Sequence, residues 1–312
     1  MTRPLDILAF GEPMVEFNQV RDGDGRQYLQ GFGGDTSNFA IAAARQGAAV
    51  GCWSALGDDR HGRMVRALWD AEGIDHASVG TDPYAFTAVY FVSHGAEGHA
   101  FHFLRDGSAA SRVTPSDLPR ARLATARVLH LSAISLALSA SAREAGFAAM
   151  HAAREAGVTV SFDTNLRPAL WPSLDHARDA IGDAMRLADI CLPSRDDVVA
   201  LTGLDDPDAL IDHCLALGAR TVALKLGSEG AIVADTARRH RIAPFPCKPL
   251  DATGAGDVFG GAFVARLLAG DGLIDAGRYA AAAAALSTKG YGAVAPIPRA
   301  AAVRELLARQ PR

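Results

Sequence analysis

The 312 residues carry 35 acidic and 31 basic side chains, a formal charge of −4, and 49% hydrophobic residues. That balance speaks against a general nucleic-acid binder, which shows a basic face, and fits a globular chain long enough to bury a core without staples. Four scattered cysteines (Cys52, Cys191, Cys214, Cys247) contain no CxxC pair, so neither a disulfide framework nor a zinc knuckle is suggested.

The N-terminal MTRPLDILAFGEP lacks the form of a signal peptide, and YAAAAAALS (Tyr279 to Ser287) is too short to span a bilayer. A cytoplasmic protein without membrane or nucleic-acid partners is expected. In chain order, DILAFG (6–11) reads as a buried strand and TSNFAIAAARQG as a helix capped at Thr36 or Ser37 and ending at Gly47. AVGCWSAL follows as a strand and HGRMVRALWDAEG as a helix ending near Gly73. Then come VLHLSAIS (strand), SAREAGFAAMHAAREAG (helix), VTVSFDTN (strand), a helix after Pro172, ICLPS (strand), a further helix, and TVALKLG (strand). Such alternation predicts one α/β domain over 1–312, a mostly parallel sheet with helices on both faces.

Two stretches break the pattern. Segments 13–32 and 86–105 hold MVEFNQV and RQYLQGF around DGDG, and FTAVYFVSH and HAFHFL around GAEG. Both are hairpin signals. They predict a small accessory sheet, rich in Phe17, Tyr28, Phe91 and Phe101, whose face needs cover from a substrate, a partner chain or both. A homo-oligomer formed through this sheet is the expected assembly. His94, His99 and His102 fall in the second hairpin and are expected on strand faces rather than around a metal.

The stretch DATGAGDVFGGAF opens a helix. Gly254, Ala255 and Gly256 clear side chains from a helix start, where unpaired N–H groups and the dipole favour an anion. Asp257 follows directly. Glycines there also serve tight packing, and Asp is common in a first turn. Phosphoryl transfer, however, needs donors for the moving group beside an acceptor for the nucleophile's proton, and the stretch offers both. No GxxxxGK[ST] loop, no HRD with a downstream DFG, and no GxGxxG occurs. Gly33-Gly34 reads as a turn before the first helix or as a place of close backbone approach. Arg105 and Arg167 each follow a predicted strand, and a guanidinium fork grips carboxylates and phosphates. Ser194 with Asp197 has the form of a helix cap. Lys225, Gly227, Ser228 and Gly230 mark a hairpin turn.

DATGAGDVFGGAF together with GFGGDTSNFAIAAARQGAAVG resembles the two signatures of the ribokinase-like (PfkB) sugar kinases, in the family's order and over nearly the whole chain. GEPMVEF, YFVSHGAEGHAFHFLRDGSAAS, FDTNLRPALWP, LPSRDDVVALTG and GYGAVAPIP are similar to the 2-keto-3-deoxygluconate kinase branch. The resemblance implies a ribokinase-like fold with a β-sheet lid and ATP- and Mg²⁺-dependent phosphorylation of a sugar hydroxyl. Asp257 is then the base and Gly254 to Gly256 the anion hole. It implies sugar contacts from Gly33, Gly34, Asp35, Asn38, Tyr90 and Arg105, with Arg167 near both sugar acid and phosphate. It implies nucleotide contacts from Ser194, Lys225, Gly227, Ser228, Gly230 and the stretch from Ala284 to Gly292. Magnesium reaches Asp197 through water. Asp251 and Thr253, with carbonyls near Gly290 to Gly292, are the expected site of a monovalent cation such as K⁺. Phe103 stands where the family often has tyrosine. The alternatives are a kinase of a neutral sugar, fructose or ribose, and a sugar sensor without catalysis.

Overall fold

The structure is a computed structural model that describes residues 4–20, 24–95 and 98–310, and leaves the side chains of residues 98 and 99 undescribed. The tips of both hairpins, within DGDG and GAEG, lie outside these residues, as does the His99 side chain. Strands β1 (Ile7–Phe10), β2 (Met14–Gln19), β3 (Tyr28–Gly33), β4 (Val50–Gly57), β5 (Asp75–Asp82), β6 (Val89–Gly95) and β7 (Gly98–Leu104) come from the first third of the chain. β8 (Val128–Ser132), β9 (Thr159–Asp163), β10 (Ile190–Cys191), β11 (Thr221–Lys225), β12 (Ala231–Asp235) and β13 (Arg239–Ile242) follow. They form a nine-stranded sheet in the order β13-β12-β11-β10-β9-β8-β1-β4-β5 and a four-stranded sheet in the order β3-β2-β6-β7.

The large sheet is parallel from β11 to β5, and β12 and β13 run antiparallel. Its central strands are continuous apolar runs because helices cover both faces. β1 and β8 are buried along their whole length. The chain winds to β4 and β5 on one side of β1, then to β8 and beyond on the other. In open α/β sheets a ligand crevice lies outside the carboxyl ends of the strands at such a reversal. Glu12, Asp163, Ser194 and Lys225 all sit at or just past those ends. No helix among the described residues is long and apolar enough to cross a membrane.

The expected accessory sheet is present, with a parallel pair, β2 and β6, at its centre. Its aromatic residues divide between two faces. Phe17 and Phe91 stack at 5.2 Å, Tyr28 meets Phe91 at 5.8 Å, and Phe17 reaches His61 of the helix Arg60–Glu72 at 6.1 Å. Phe101 lies on the opposite face with Phe103 and Tyr90. His94 pairs through Nε2 with Asn18 Oδ1 at 2.9 Å, and His102 with Ser93 Oγ at 3.4 Å.

Three local expectations are corrected. The first helix runs Asp35–Arg45 and its N-cap is Gly34, not Thr36 or Ser37. Gly34 has φ 92°, and a Cβ there would lie 2.1 Å from the Glu12 carbonyl oxygen, so only glycine fits. Thr36 and Ser37 are buried inside the helix, where Ser37 Oγ accepts from Trp69 Nε1. The apolar run 128–135 ends as a strand at Ser132, whose side chain caps the short helix Ala133–Ala137. The segment before TVALKLG holds two helices, Arg195–Thr202 and Pro207–Ala216, separated at Gly203 in the left-handed region. The polar stretch HASVGTD, for which no element is expected, forms β5 at the edge of the sheet, paired with β4.

Candidate active site

Two helices carry the centre of the site. Ala255–Leu268 packs on Asp35–Arg45, and a Cβ at Gly261 would lie 2.4 Å from the Phe39 carbonyl oxygen. The second glycine pair of DVFGGAF therefore permits close helix approach. This approach places Asn38 Nδ2 where it donates to Asp257 Oδ2 at 2.9 Å. The Asn38 amide oxygen, Oδ1, is buried with no hydrogen-bond partner. Asn165 Nδ2 donates to Asp35 Oδ2 at 2.9 Å. Burial first, then the Asp35 charge, pushes the Asp257 carboxyl up to about 8.

The helix mouth is built as its sequence suggests, with one difference. Gly254 is the N-cap with φ 76°, a left-handed conformation that favours glycine. The Ala255 N–H turns back onto the Ala252 carbonyl at 3.1 Å, so this amide of the expected anion hole is engaged in the turn. Lys225 Nζ lies 3.6 Å from where a Gly256 Cβ would be, and donates to Asp163 Oδ2 at 2.6 Å. Burial raises the Asp163 carboxyl, against the pull of Lys225.

Two cavities meet at this mouth. One, about 730 Å³, is lined by Ser194, Asp197, Lys225, Gly227, Ser228 and the segment 251–257. The other, about 270 Å³, is lined by Glu12, Gly34, Asp35, Asn38, Tyr90, Phe103 and Arg105, among others. Phe101, Asn165, Arg167, Thr253, Gly254 and Asp257 line both. A larger groove of about 1080 Å³ beside β5 holds none of the expected residues.

Some expected residues have other duties. A Cβ at Gly33 would lie 2.4 Å from the Tyr90 hydroxyl, so Gly33 makes room for Tyr90 rather than lining the smaller cavity. The Tyr90 hydroxyl donates to Glu16 Oε2, and its ring stacks on Phe103 at 5.6 Å. Gly230, at φ 91°, packs against the Ile242 carbonyl, and Ala284 packs against the core; neither lines either of these two cavities. Ser194 Oγ caps its helix by accepting from Asp197 N–H at 3.2 Å. The Asp197 carboxylate does not close a capping box; it accepts from Thr164 Oγ1 at 2.9 Å. Asp251 accepts from Thr253 N and Oγ1 through Oδ1 and from Gly292 N through Oδ2, so a cation there would meet a carboxylate with both oxygens engaged.

Arg105 Nη2 lies 2.6 Å from Glu12 Oε2, whereas Arg167 has no carboxylate partner among the described residues and donates to its neighbour's carbonyl, Leu166 O, at 2.8 Å. Sequence reasoning assigned no role to Glu12, Asp163 or Asn165. Their signal was faint, in GEP and FDTN, stretches quoted only for their resemblance.

A profile of the pfkB family carbohydrate kinases matches residues 5–300. The chain is 36% identical over 310 residues to a 2-dehydro-3-deoxygluconokinase of Thermoproteus tenax, covering 95% of this chain and 93% of that one. It is 32% identical to fructokinase-1 of Zea mays, covering 96% and 97% of the two chains. A putative ribokinase II from E. coli, solved with ATP and Mg²⁺, superposes with a TM-score of 0.90 at 25% identity, over 98% of this chain and all of that one. Fold, helix mouth and these likenesses agree: the chain belongs to the pfkB family of carbohydrate kinases and is a sugar kinase.

Proposed function

We propose that the protein transfers the γ-phosphoryl group of ATP to the terminal hydroxyl of 2-keto-3-deoxygluconate, giving ADP and the 6-phospho product. The observation that carries this reading is the position of Asp257 in the wall shared by both cavities. A sugar in the smaller cavity and ATP in the larger meet there. Asp257 accepts the hydroxyl proton as the sugar oxygen bonds to the γ-phosphorus. The bond from that phosphorus to the β,γ-bridging oxygen breaks, and ADP carries the electron pair away. Lys225 and the free amides of the mouth face the developing charge.

The residues at the foot of the larger cavity fit magnesium arriving with ATP. Asp197 would hold the ion through water, beside Ser194, and such an ion keeps several waters together with phosphate oxygens. When bound, the ion neutralises phosphate charge. Arg105 is assigned to the acid end of the sugar, through guanidinium N–H groups that Glu12 does not use. Arg167, which lines both cavities, is assigned to the phosphoryl path. Arg167→Ala is expected to lower kcat by roughly 10²-fold, the worth of one transition-state donor, and to change the KM for ATP little. Steady-state kinetics in both substrates checks this; a changed KM with unchanged kcat would remove Arg167 from that role.

A second reading, a kinase of neutral sugars, is favoured by the Glu12 already seated on Arg105 and by Phe103 without a hydroxyl. A coupled ADP assay over sugar acids and neutral sugars tests the proposal. Turnover of the acid is expected. Tight sugar binding without turnover of any sugar would point to a sensor instead.

The lid face that carries Phe101 and Phe103 also carries Leu29, which is 59% exposed, and we assign its outer part to pairing with a second copy. Light scattering should give twice the monomer mass, and Leu29→Glu should return it to one. A monomer at all concentrations would rule the pairing out.

A further inference from the structure

Glu12 is buried at the end of β1, 1% exposed, yet it lines the smaller cavity. Oε1 accepts from Ser108 Oγ, and Oε2 lies 2.6 Å from Arg105 Nη2 in an ion pair whose geometry does not make a hydrogen bond. The Ser108 N–H in turn donates to the Arg105 carbonyl at 2.9 Å, so the turn after β7 closes around this one carboxylate. The Arg105 guanidinium also lies over the Phe103 ring at 5.7 Å. A long arginine side chain is ordinarily mobile, and holding it in one rotamer costs entropy. Here the carboxylate and the ring both contact the guanidinium, whose residue lines the smaller cavity. Glu12 lies in the link from β1 of the large sheet to β2 of the small one, and Arg105 just past β7, so the pair ties the exit of the lid to its entry.

We propose that Glu12 is a positioning residue that sets selectivity for acid-bearing sugars by holding the Arg105 guanidinium against the cavity. This rests on the reading that Arg105 meets the substrate carboxylate. Burial raises the Glu12 carboxyl above its ordinary value, against the opposing pull of Arg105 and Ser108.

The test is the ratio of kcat/KM for 2-keto-3-deoxygluconate to that for fructose, in a double-mutant cycle with Arg105→Ala. Glu12→Ala should lower the ratio about ten-fold, the worth of one charge-assisted bond. Glu12→Gln, which keeps an acceptor at the same reach, should restore most of it. In the Arg105→Ala background, Glu12→Ala should change the ratio no further. If Glu12→Ala does not fold, Glu12→Asp, with the charge drawn back by one methylene, takes its place and should also lower the ratio. Equal losses on both sugars, or a ratio change that persists without Arg105, would overturn the positioning role and leave the Arg105 reading standing. A ratio unmoved by Arg105→Ala itself would overturn both.

Discussion

Asp257→Asn is expected to lower turnover by roughly 10²–10⁴-fold, the usual worth of a general base, while the KM values for sugar and ATP stay close to wild type. The amide keeps the hydrogen bond from Asn38 only by reorienting, and it cannot take a proton. The same carboxyl gives a pH signature. Its value in the fold is raised to about 8, and the base form is the carboxylate, so wild-type kcat/KM should climb as pH rises toward that value. The stability consequence has the opposite sense. A raised carboxyl contributes stability that is present below its unfolded value and is lost as pH rises through the folded one. Asp257→Asn should therefore melt higher than wild type near pH 8, with the gap closing toward pH 4. A variant that keeps more than half of wild-type turnover would remove Asp257 from the base role. Identical melting curves at both pH values would contradict the raised carboxyl.

The second large effect belongs to Lys225. Its ammonium and the Asp163 carboxylate form a buried pair, with side chains 14% and 4% exposed. Replacing lysine by methionine leaves Asp163 buried without its partner, and breaking such a pair typically costs ~3–5 kcal/mol. Turnover should fall as well, by roughly 10²–10³-fold, because the ammonium stands over Gly256 at the mouth proposed to receive the phosphoryl group. The two losses separate in the double variant Lys225→Met/Asp163→Asn. Removing the orphaned charge should restore most of the melting temperature and none of the turnover. Recovery of kcat in the double variant would reduce Lys225 to a structural role.

The division between what the sequence made legible and what it hid follows distance along the chain. Asp257, Gly254 and Gly256 were readable because their chemistry is local: a turn, a helix start and a carboxylate within four residues. The lid was readable because hairpins interrupt the αβ rhythm with period-two apolar pairs. Hidden were the pairings between residues far apart along the chain, even where one member was itself expected in the site. Asn38 reaches Asp257 across 219 positions, Asn165 reaches Asp35 across 130, and Lys225 reaches Asp163 across 62. Glu12 and Asp163 look like ordinary strand-end acids until the sheet order sets them beside Arg105 and Lys225. Gly33 was misleading for the same reason, since the atom it avoids is the Tyr90 hydroxyl on another strand. Locally, the helix Ala133–Ala137 was lost because a short apolar run after a strand shows no period of its own.

The central claim is that a sugar acid, rather than a neutral sugar, lies between Arg105 and Asp257. The most direct measurement is the wild-type ratio of kcat/KM for 2-keto-3-deoxygluconate to that for fructose. A carboxylate gripped by one arginine is worth about 1.5–3 kcal/mol, or roughly one to two powers of ten. The account predicts a ratio of about ten or more in favour of the acid. A ratio at or below one would contradict it and assign the site to a neutral sugar.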